Sequence, residues 1–245
     1  MTRPVLLIAG GSRGIGAATA AIAAVRGYDV AVNYVSNAKA ANGVVAAVEK
    51  AGGRGIALQG DMAKEADIER VFDETQGKLG AITAFVHSSG VIGPFSRLDQ
   101  AETKTIREAL DVNTFGALLC LRACVKRMST KQGGKGGAIV LLSSMASTLG
   151  GADEYIWYAA SKGAIDSVVI GLAREVAKDG IRVNAVSPGM IDTEIQPPGR
   201  LERAGPLLPM GRPGRVEEAA ETILFLLSDK ASYVTGANLR VAGGR

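Results

Sequence analysis

Apolar residues follow two rhythms along the chain. Short, nearly continuous runs recur at Val5–Ala9, Asp29–Tyr34, Gly55–Gln59, Ala84–Ser88, Ala138–Leu142, Arg182–Ser187 and Asn238–Val241. Runs of that length, rich in Val, Ile and Leu, read as strands buried on both faces. Longer segments between them step by three and four. Ile68, Val71 and Phe72 do so in a charged stretch bounded by Asp61 and Gly80, as do Leu110, Thr114, Leu118, Leu121 and Val125, and then Ile165, Val168, Leu172 and Val176. Strand–helix alternation carried through six units predicts an α/β chain. The expectation is one doubly wound, mainly parallel seven-stranded sheet with helices on both faces. No shift in composition marks a boundary, so residues 1–245 read as one domain.

Composition narrows the classes. The 28 basic and 24 acidic residues leave a net charge of +4, spread along the chain, and aromatics are 4%. That argues against nucleic-acid binding. Two cysteines and one histidine exclude a disulfide scaffold and argue against a His/Cys metal site. No run of about 18 apolar residues predicts a membrane span. The first strand-like run starts at Pro4-Val5, which leaves no room for a signal peptide, and the chain reads as cytoplasmic. Glycine is in excess, 32 residues against a usual 7% or so. It falls where apolar runs end, as turn punctuation does.

The first of these turns carries chemistry. Val5–Ala9 runs into Gly10-Gly11-Ser12-Arg13-Gly14-Ile15-Gly16 and then an Ala-rich helix to Arg26. Glycines 10, 14 and 16 allow a tight turn, close approach of backbone N–H groups to a pyrophosphate, and packing of helix on strand. The helix N-terminus then faces the phosphates with free N–H groups. A glycine cluster alone can be a structural turn; after a first strand and before a helix it predicts dinucleotide binding.

A second constellation is Tyr158-Ala-Ala-Ser-Lys162, which puts a phenol and an ammonium on one helix face. An ordinary surface pair is the plain alternative. Against it, Ser143-Ser144 ends a strand 14 residues upstream, at the sheet edge where doubly wound folds bind ligands. An ammonium about 4–5 Å from a phenol would favour phenolate by roughly 2–3 pKa units. Such a phenol could protonate an oxyanion or deprotonate an alcohol.

These motifs, with Asp61, Asn113, Ser187-Pro188-Gly189, the segment Ser232–Gly236 and Gly243-Gly244, resemble the short-chain dehydrogenase/reductase family over the full length. The likeness is to its 3-oxoacyl-reductase-like and glucose-dehydrogenase-like members. It implies a Rossmann fold, a nicotinamide cofactor, a carbonyl or secondary-alcohol substrate and a homotetramer. Residue by residue, it implies Tyr158 as general acid/base and Lys162 as the group that lowers its pKa and holds the nicotinamide ribose. Ser144 would bind the substrate oxygen, and Asn113 would support a water-linked proton path. Asp61 and Met62 would meet the adenine and Gly90 the adenosine ribose, with Ser88 in the same loop. Pro188, Gly189, Ile191 and Thr193 would flank the nicotinamide. The chain departs from the family at Ala9, where Thr is usual, and at His87-Ser88-Ser89-Gly90, where Asn-Asn-Ala-Gly is usual.

Cofactor preference is legible at the second strand. NAD-specific sites place an acid at its end, whereas Val32-Asn33-Tyr34-Val35-Ser36-Asn37 has none. Arg13 in the glycine loop would attract a 2′-phosphate, with Asn33 and Ser36 as neutral donors, so NADP(H) is expected. His87 reads as a strand-end residue packed under the cofactor loop, or as a proton carrier. Cys120 and Cys124 read as small buried hydrophobes, or as a redox pair. Asp153 and Glu154 contact a polar substrate or cap a helix. The segment from about 193 to 209, broken by Pro197, Pro198, Gly199, Gly205 and Pro206, reads as a mobile lid over a compact substrate. Arg200 and Arg203 within it could receive an anionic group. A non-catalytic NADP-binding scaffold or a serine hydrolase fits less well: the Asn, Ser, Tyr and Lys set is intact, and no G-x-S-x-G elbow surrounds Ser144.

Overall fold

Seven strands form one sheet in a computed structural model whose described residues are 3–245. They are β1 (Val5–Ala9), β2 (Asp29–Tyr34), β3 (Gly55–Gln59), β4 (Ile82–His87), β5 (Gly137–Leu142), β6 (Ile181–Pro188) and β7 (Asn238–Val241). Their order is β3-β2-β1-β4-β5-β6-β7, and every neighbouring pair is parallel. The apolar runs therefore mark strands with ends shifted by two residues at most. Strand order reverses between β1 and β4, and the loops leaving these two strands splay apart there to open a crevice at the carboxyl edge.

The helices are α1 (Gly14–Val25), α2 (Ala38–Lys50), α3 (Glu65–Leu79), α4 (Thr103–Leu110), α5 (Gly116–Met128), α6 (Ala146–Leu149), α7 (Ile156–Val176), α8 (Arg200–Ala204) and α9 (Val216–Leu227). Successive strand residues point to opposite faces. Leu6, Ile8, Val30, Val32, Val86 and Val140 pack with α1, α2 and α9, whereas Leu7, Phe85, Ile139 and Leu141 pack with α3, α5 and α7. Burial on both faces is why these strands read as continuous rather than alternating runs.

One helical reading changes. The steps from Leu110 to Val125 predict a single regular helix with one apolar face. Instead a π-helical turn, Asp111–Phe115, joins α4 to α5. The added residue rotates α5 about its axis, so Leu110, Phe115 and Leu118 face outward while Ala117, Cys120, Ala123 and Cys124 face the sheet. Small residues win that face because the helix sits close: a Cβ on Gly116 would lie 2.3 Å from the Met62 carbonyl oxygen. π turns frequently mark functional sites, and this one turns Asn113 inward to full burial. Among the described residues no helix is long and apolar enough to cross a membrane.

Candidate active site

The glycine turn is braced from below by Asn33. Its Oδ1 accepts from the Gly10 N–H at 3.2 Å, and its Nδ2 donates to the carbonyls of Leu58 at 3.3 Å and Gly60 at 2.9 Å. Asn33 thus staples the β1 turn to the end of β3. The neutral phosphate donor expected at Asn33 is spent inside the fold, because the side chain points under the turn and is buried. Gly16 is equally constrained: a Cβ there would come within 2.3 Å of the Gly10 carbonyl oxygen. No side chain caps α1, and no acid occupies its first turn. Its terminal N–H groups are therefore free to bind an anion, the arrangement that suits a pyrophosphate.

Gly10, Ser12, Arg13, Gly14, Ile15, Tyr34, Ser36, Asp61, Met62, Ser88 and Gly90 line one end of a cleft of about 940 Å³. Ser144, Tyr158, Lys162, Pro188, Gly189, Ile191 and Thr193 line the other. Gly16, Asn33 and Asn113 stand behind its walls. Arg13 reaches across to Glu194 at 3.5 Å, both side chains being 75% exposed, so little holds it there. A Cβ on Gly90 would lie 3.4 Å from Asn113 Oδ1 and 3.5 Å from Lys162 Nζ, so this glycine lets the β4 loop pass close over both.

The adjacent serines at the end of β5 separate. Ser143 Oγ is turned to Asp166 Oδ1 at 2.5 Å and the Lys162 carbonyl at 3.2 Å. Ser144 Oγ accepts from the Ala146 N–H at 3.1 Å and faces the cleft. Lys162 is buried; its Nζ donates to the Leu142 carbonyl at 2.7 Å and stands 5.7 Å from the Tyr158 ring centroid. Burial pulls its pKa down to about 8, with Asp166 opposing. The phenol departs from expectation: burial pushes Tyr158 up to about 12, opposed by a hydrogen bond with Ser144. Lys162 does not depress it, because the ammonium lies over the ring face with a backbone carbonyl as its partner.

Asn113 donates to the Val91 carbonyl at 2.9 Å and Ser161 Oγ at 3.0 Å, and accepts from the Val91 N–H at 2.8 Å. Every polar atom of its side chain is used to hold the β4 loop against α7. His87 is buried with Nε2 unpartnered, and burial, aided by Lys162, pulls its pKa to about 3. It is neutral near pH 7. Cys120 and Cys124 are free and buried, and burial raises both thiols well above their usual range. They pack as hydrophobes. Among the described residues no group of three or more His, Cys, Asp or Glu is placed to hold a metal.

Sequence reasoning missed most of the cleft's mouth. Phe95, Leu149, Tyr155, Met190 and Ile195 line it, yet they carry no motif and converge from three loops and the end of α6. Glu154 is committed to Arg200, which donates to it twice at 2.8 Å. Asp153 pairs with Arg97 at 3.3 Å and adopts φ 61°. Residues 193–209 hold one short α-helix, α8, followed by a single 3-10 turn, Gly205–Leu207.

A family model described as Enoyl-(Acyl carrier protein) reductase matches residues 9–245. The chain is 46% identical over 245 residues to the uncharacterized oxidoreductase YgfF of Escherichia coli (strain K12), covering 98% of this chain and 99% of that one. The short-chain dehydrogenase/reductase from Serratia marcescens BCRC 10948 superposes with a TM-score of 0.91 at 31% identity, over 98% of this chain and 97% of that one. The chain belongs to the short-chain dehydrogenase/reductase family. Another solved structure, a blue fluorescent protein from a metagenomic library in complex with NADPH, has a TM-score of 0.90 at 32% identity, with coverage of 98% and 97%. As a short-chain dehydrogenase/reductase the chain is an oxidoreductase of a family that transfers hydride with a nicotinamide cofactor. The all-parallel sheet and the cleft at its switch point are the family's architecture.

Proposed function

We propose that the protein is an NADP(H)-dependent oxidoreductase acting on a compact carbonyl or secondary-alcohol substrate, with Tyr158 as general acid and base. The observation that carries this reading is the convergence of Ser144, Tyr158 and Lys162 at one end of a cleft whose other end is an acid-free helix N-terminus. When bound, the cofactor supplies the hydride. The chain's own residues hold it and move the proton. The N–H groups of the Gly10–Gly16 turn and α1 would hold the pyrophosphate, and Lys162 the nicotinamide ribose. Ser144 would donate to the substrate oxygen. Tyr158, protonated near neutrality because burial raises its pKa to about 12, is in the state that carbonyl reduction needs and gives its phenolic proton to that oxygen. In oxidation the same oxygen takes the proton back, which requires the phenol's pKa to fall once a cationic partner is in place.

Preference for NADP(H) rests on three features. β2 ends without an acid, α2 has none in its first turn, and the Arg13 guanidinium is held only by an exposed ion pair that a 2′-phosphate can outcompete. Exposed Leu110, Phe115, Leu118 and Ile170, on α4, the π turn, α5 and α7, support a homotetramer, and the unbridged Cys120 and Cys124 suit the cytoplasm. We take the whole chain as one catalytic unit with residues 193–209 as its lid.

Steady-state kinetics with NADPH and NADH over a carbonyl panel tests the reading. Tyr158→Phe should lower kcat by roughly 10²–10⁴-fold while leaving NADPH affinity within about twofold. Residual activity above a tenth of wild type would remove Tyr158 from the role. Wild type should favour NADPH, and Arg13→Ala should cut that preference by about 10- to 150-fold. A ratio that does not move places the preference elsewhere.

A further inference from the structure

Beyond Tyr158 of α7 the cleft ends in a stack of side chains drawn from two loops and the start of α8. Tyr158 meets Tyr155 edge-on at 5.8 Å between ring centroids, and Tyr155 meets Phe95 edge-on at 4.9 Å. The Arg200 guanidinium lies over both, 4.9 Å from the Phe95 centroid and 5.8 Å from the Tyr155 centroid. Its side chain is 16% exposed, and its two terminal nitrogens each donate to Glu154 at 2.8 Å. That bidentate pairing uses the fork that would otherwise grip a substrate carboxylate or phosphate.

Glu154 is itself held in place. Its carbonyl accepts from the Ser96 N–H at 2.9 Å, next to Phe95. The preceding Asp153, at φ 61°, is the one non-glycine residue with positive φ among those described, and Arg97 pairs with it. Strained backbone of this kind persists where the surroundings over-determine it. Leu149, Met190 and Ile195 complete the wall. Gln196 is turned back to the Ile191 carbonyl, while Glu108 and Arg245 sit on the exposed rim. A sugar or keto acid entering here would shed water from hydroxyls or a carboxylate without regaining equal hydrogen bonds. A flat apolar body would lose nothing against the aromatic wall.

We infer that Glu154 masks the Arg200 guanidinium, and that the substrate is therefore an uncharged carbonyl compound with a ring-sized apolar body rather than a sugar or keto acid. This rests on the carbonyl-reducing role proposed for the site. The test compares kcat/KM with NADPH for cyclohexanone and 4-oxocyclohexane-1-carboxylate, alongside open-chain ketones and a hexose. It uses wild type, Glu154→Gln and the double variant Glu154→Gln/Arg200→Leu. Wild type should favour cyclohexanone over its carboxylate at least tenfold. Glu154→Gln, which removes the opposing charge and one of the two acceptor oxygens, should swing that ratio toward the carboxylate by about 10- to 150-fold, the worth of one charged hydrogen bond. The double variant should swing it back. Cyclohexanecarboxylate, which cannot be reduced, should raise the melting temperature of Glu154→Gln but not of wild type. A wild-type preference for the carboxylate overturns the inference, as does an unchanged ratio in a folded Glu154→Gln protein. If that variant does not fold, the wild-type preference alone decides. Reduction of open-chain ketones or hexose but of no ring ketone removes the inference and leaves the oxidoreductase reading standing. No NADPH oxidation with any carbonyl removes both.

Discussion

The two ends of the cleft are built by opposite means. At the glycine turn, shape is fixed by buried backbone and by side chains with no freedom left: Asn33 gives every polar atom to main-chain partners, and Gly16 leaves no room for a Cβ beside the Gly10 carbonyl. At the mouth, side-chain charge pairs tie down residues 193–209: the partly buried, bidentate pair of Arg200 with Glu154, and the exposed pair of Arg13 with Glu194. Satisfied buried groups cost much to disturb, whereas exposed ion pairs contribute little and exchange easily. A part common to many substrates can be rigid; a part that selects among them is better held by contacts that one substitution can alter. Asn113 belongs with the first group, since its amide is wholly used in clamping Val91 to α7.

The contrast can be broken most sharply at Gly16. Ala there would set its Cβ 2.3 Å from a backbone oxygen that cannot rotate away. About 3 kcal/mol of destabilisation is expected by chemical denaturation, with NADPH affinity lost alongside. A melting curve like that of wild type would show the turn to be softer than its packing implies. Asn33→Ala ranks next. It orphans the Gly10 N–H and two carbonyls, and should cost about 1–3 kcal/mol without altering the NADPH-to-NADH ratio, since the amide points away from the cofactor face. A change in that ratio instead would return Asn33 to the cofactor contacts.

His87 sharpens the comparison through pH. Its folded pKa, about 3, lies below the ordinary 6.5. As pH falls below 6.5 the unfolded chain takes up the proton first, so stability drops between pH 6.5 and about 3 and is unaffected by this group above 6.5. The loss should be about 1.4 kcal/mol by pH 5.5. The carboxylates Glu74 and Glu154 are both held below their ordinary range by hydrogen bonds from their basic partners, Lys78 and Arg200, so they titrate on the acid side of the His87 onset. His87→Gln should therefore flatten the stability profile between pH 5 and 6.5; an unchanged slope would assign it elsewhere. The smallest effect belongs to residues 193–209: Glu194→Gln should shift unfolding free energy by less than about 1 kcal/mol, as expected for an exposed pair. A larger loss would mean that this segment is anchored as firmly as the turn.

The strands, their burial on both faces and most of the residues that line the cleft at the sheet edge were legible in the amino-acid sequence. Continuous apolar runs depend only on neighbours in the chain, and Gly10–Gly16 and Tyr158–Lys162 are local motifs whose geometry comes from one turn and one helix. Tertiary structure settled the features that depend on residues distant in the chain. The π turn at Asp111–Phe115 overrode a regular helical spacing because Gly116 had to meet the backbone at Met62. The Tyr158 phenol was raised rather than lowered because burial acts on it while Lys162 turns to the Leu142 carbonyl. Asn33 and Ser36 look alike as donors, but Asn33 lies within β2 and turns under the glycine turn, whereas Ser36 lies in the bend after the strand and lines the cleft. Whether Arg200 stands free to meet an anion was decided 46 residues away, at Glu154. Charge in a sequence is a property of a residue, but its availability is a property of what surrounds it.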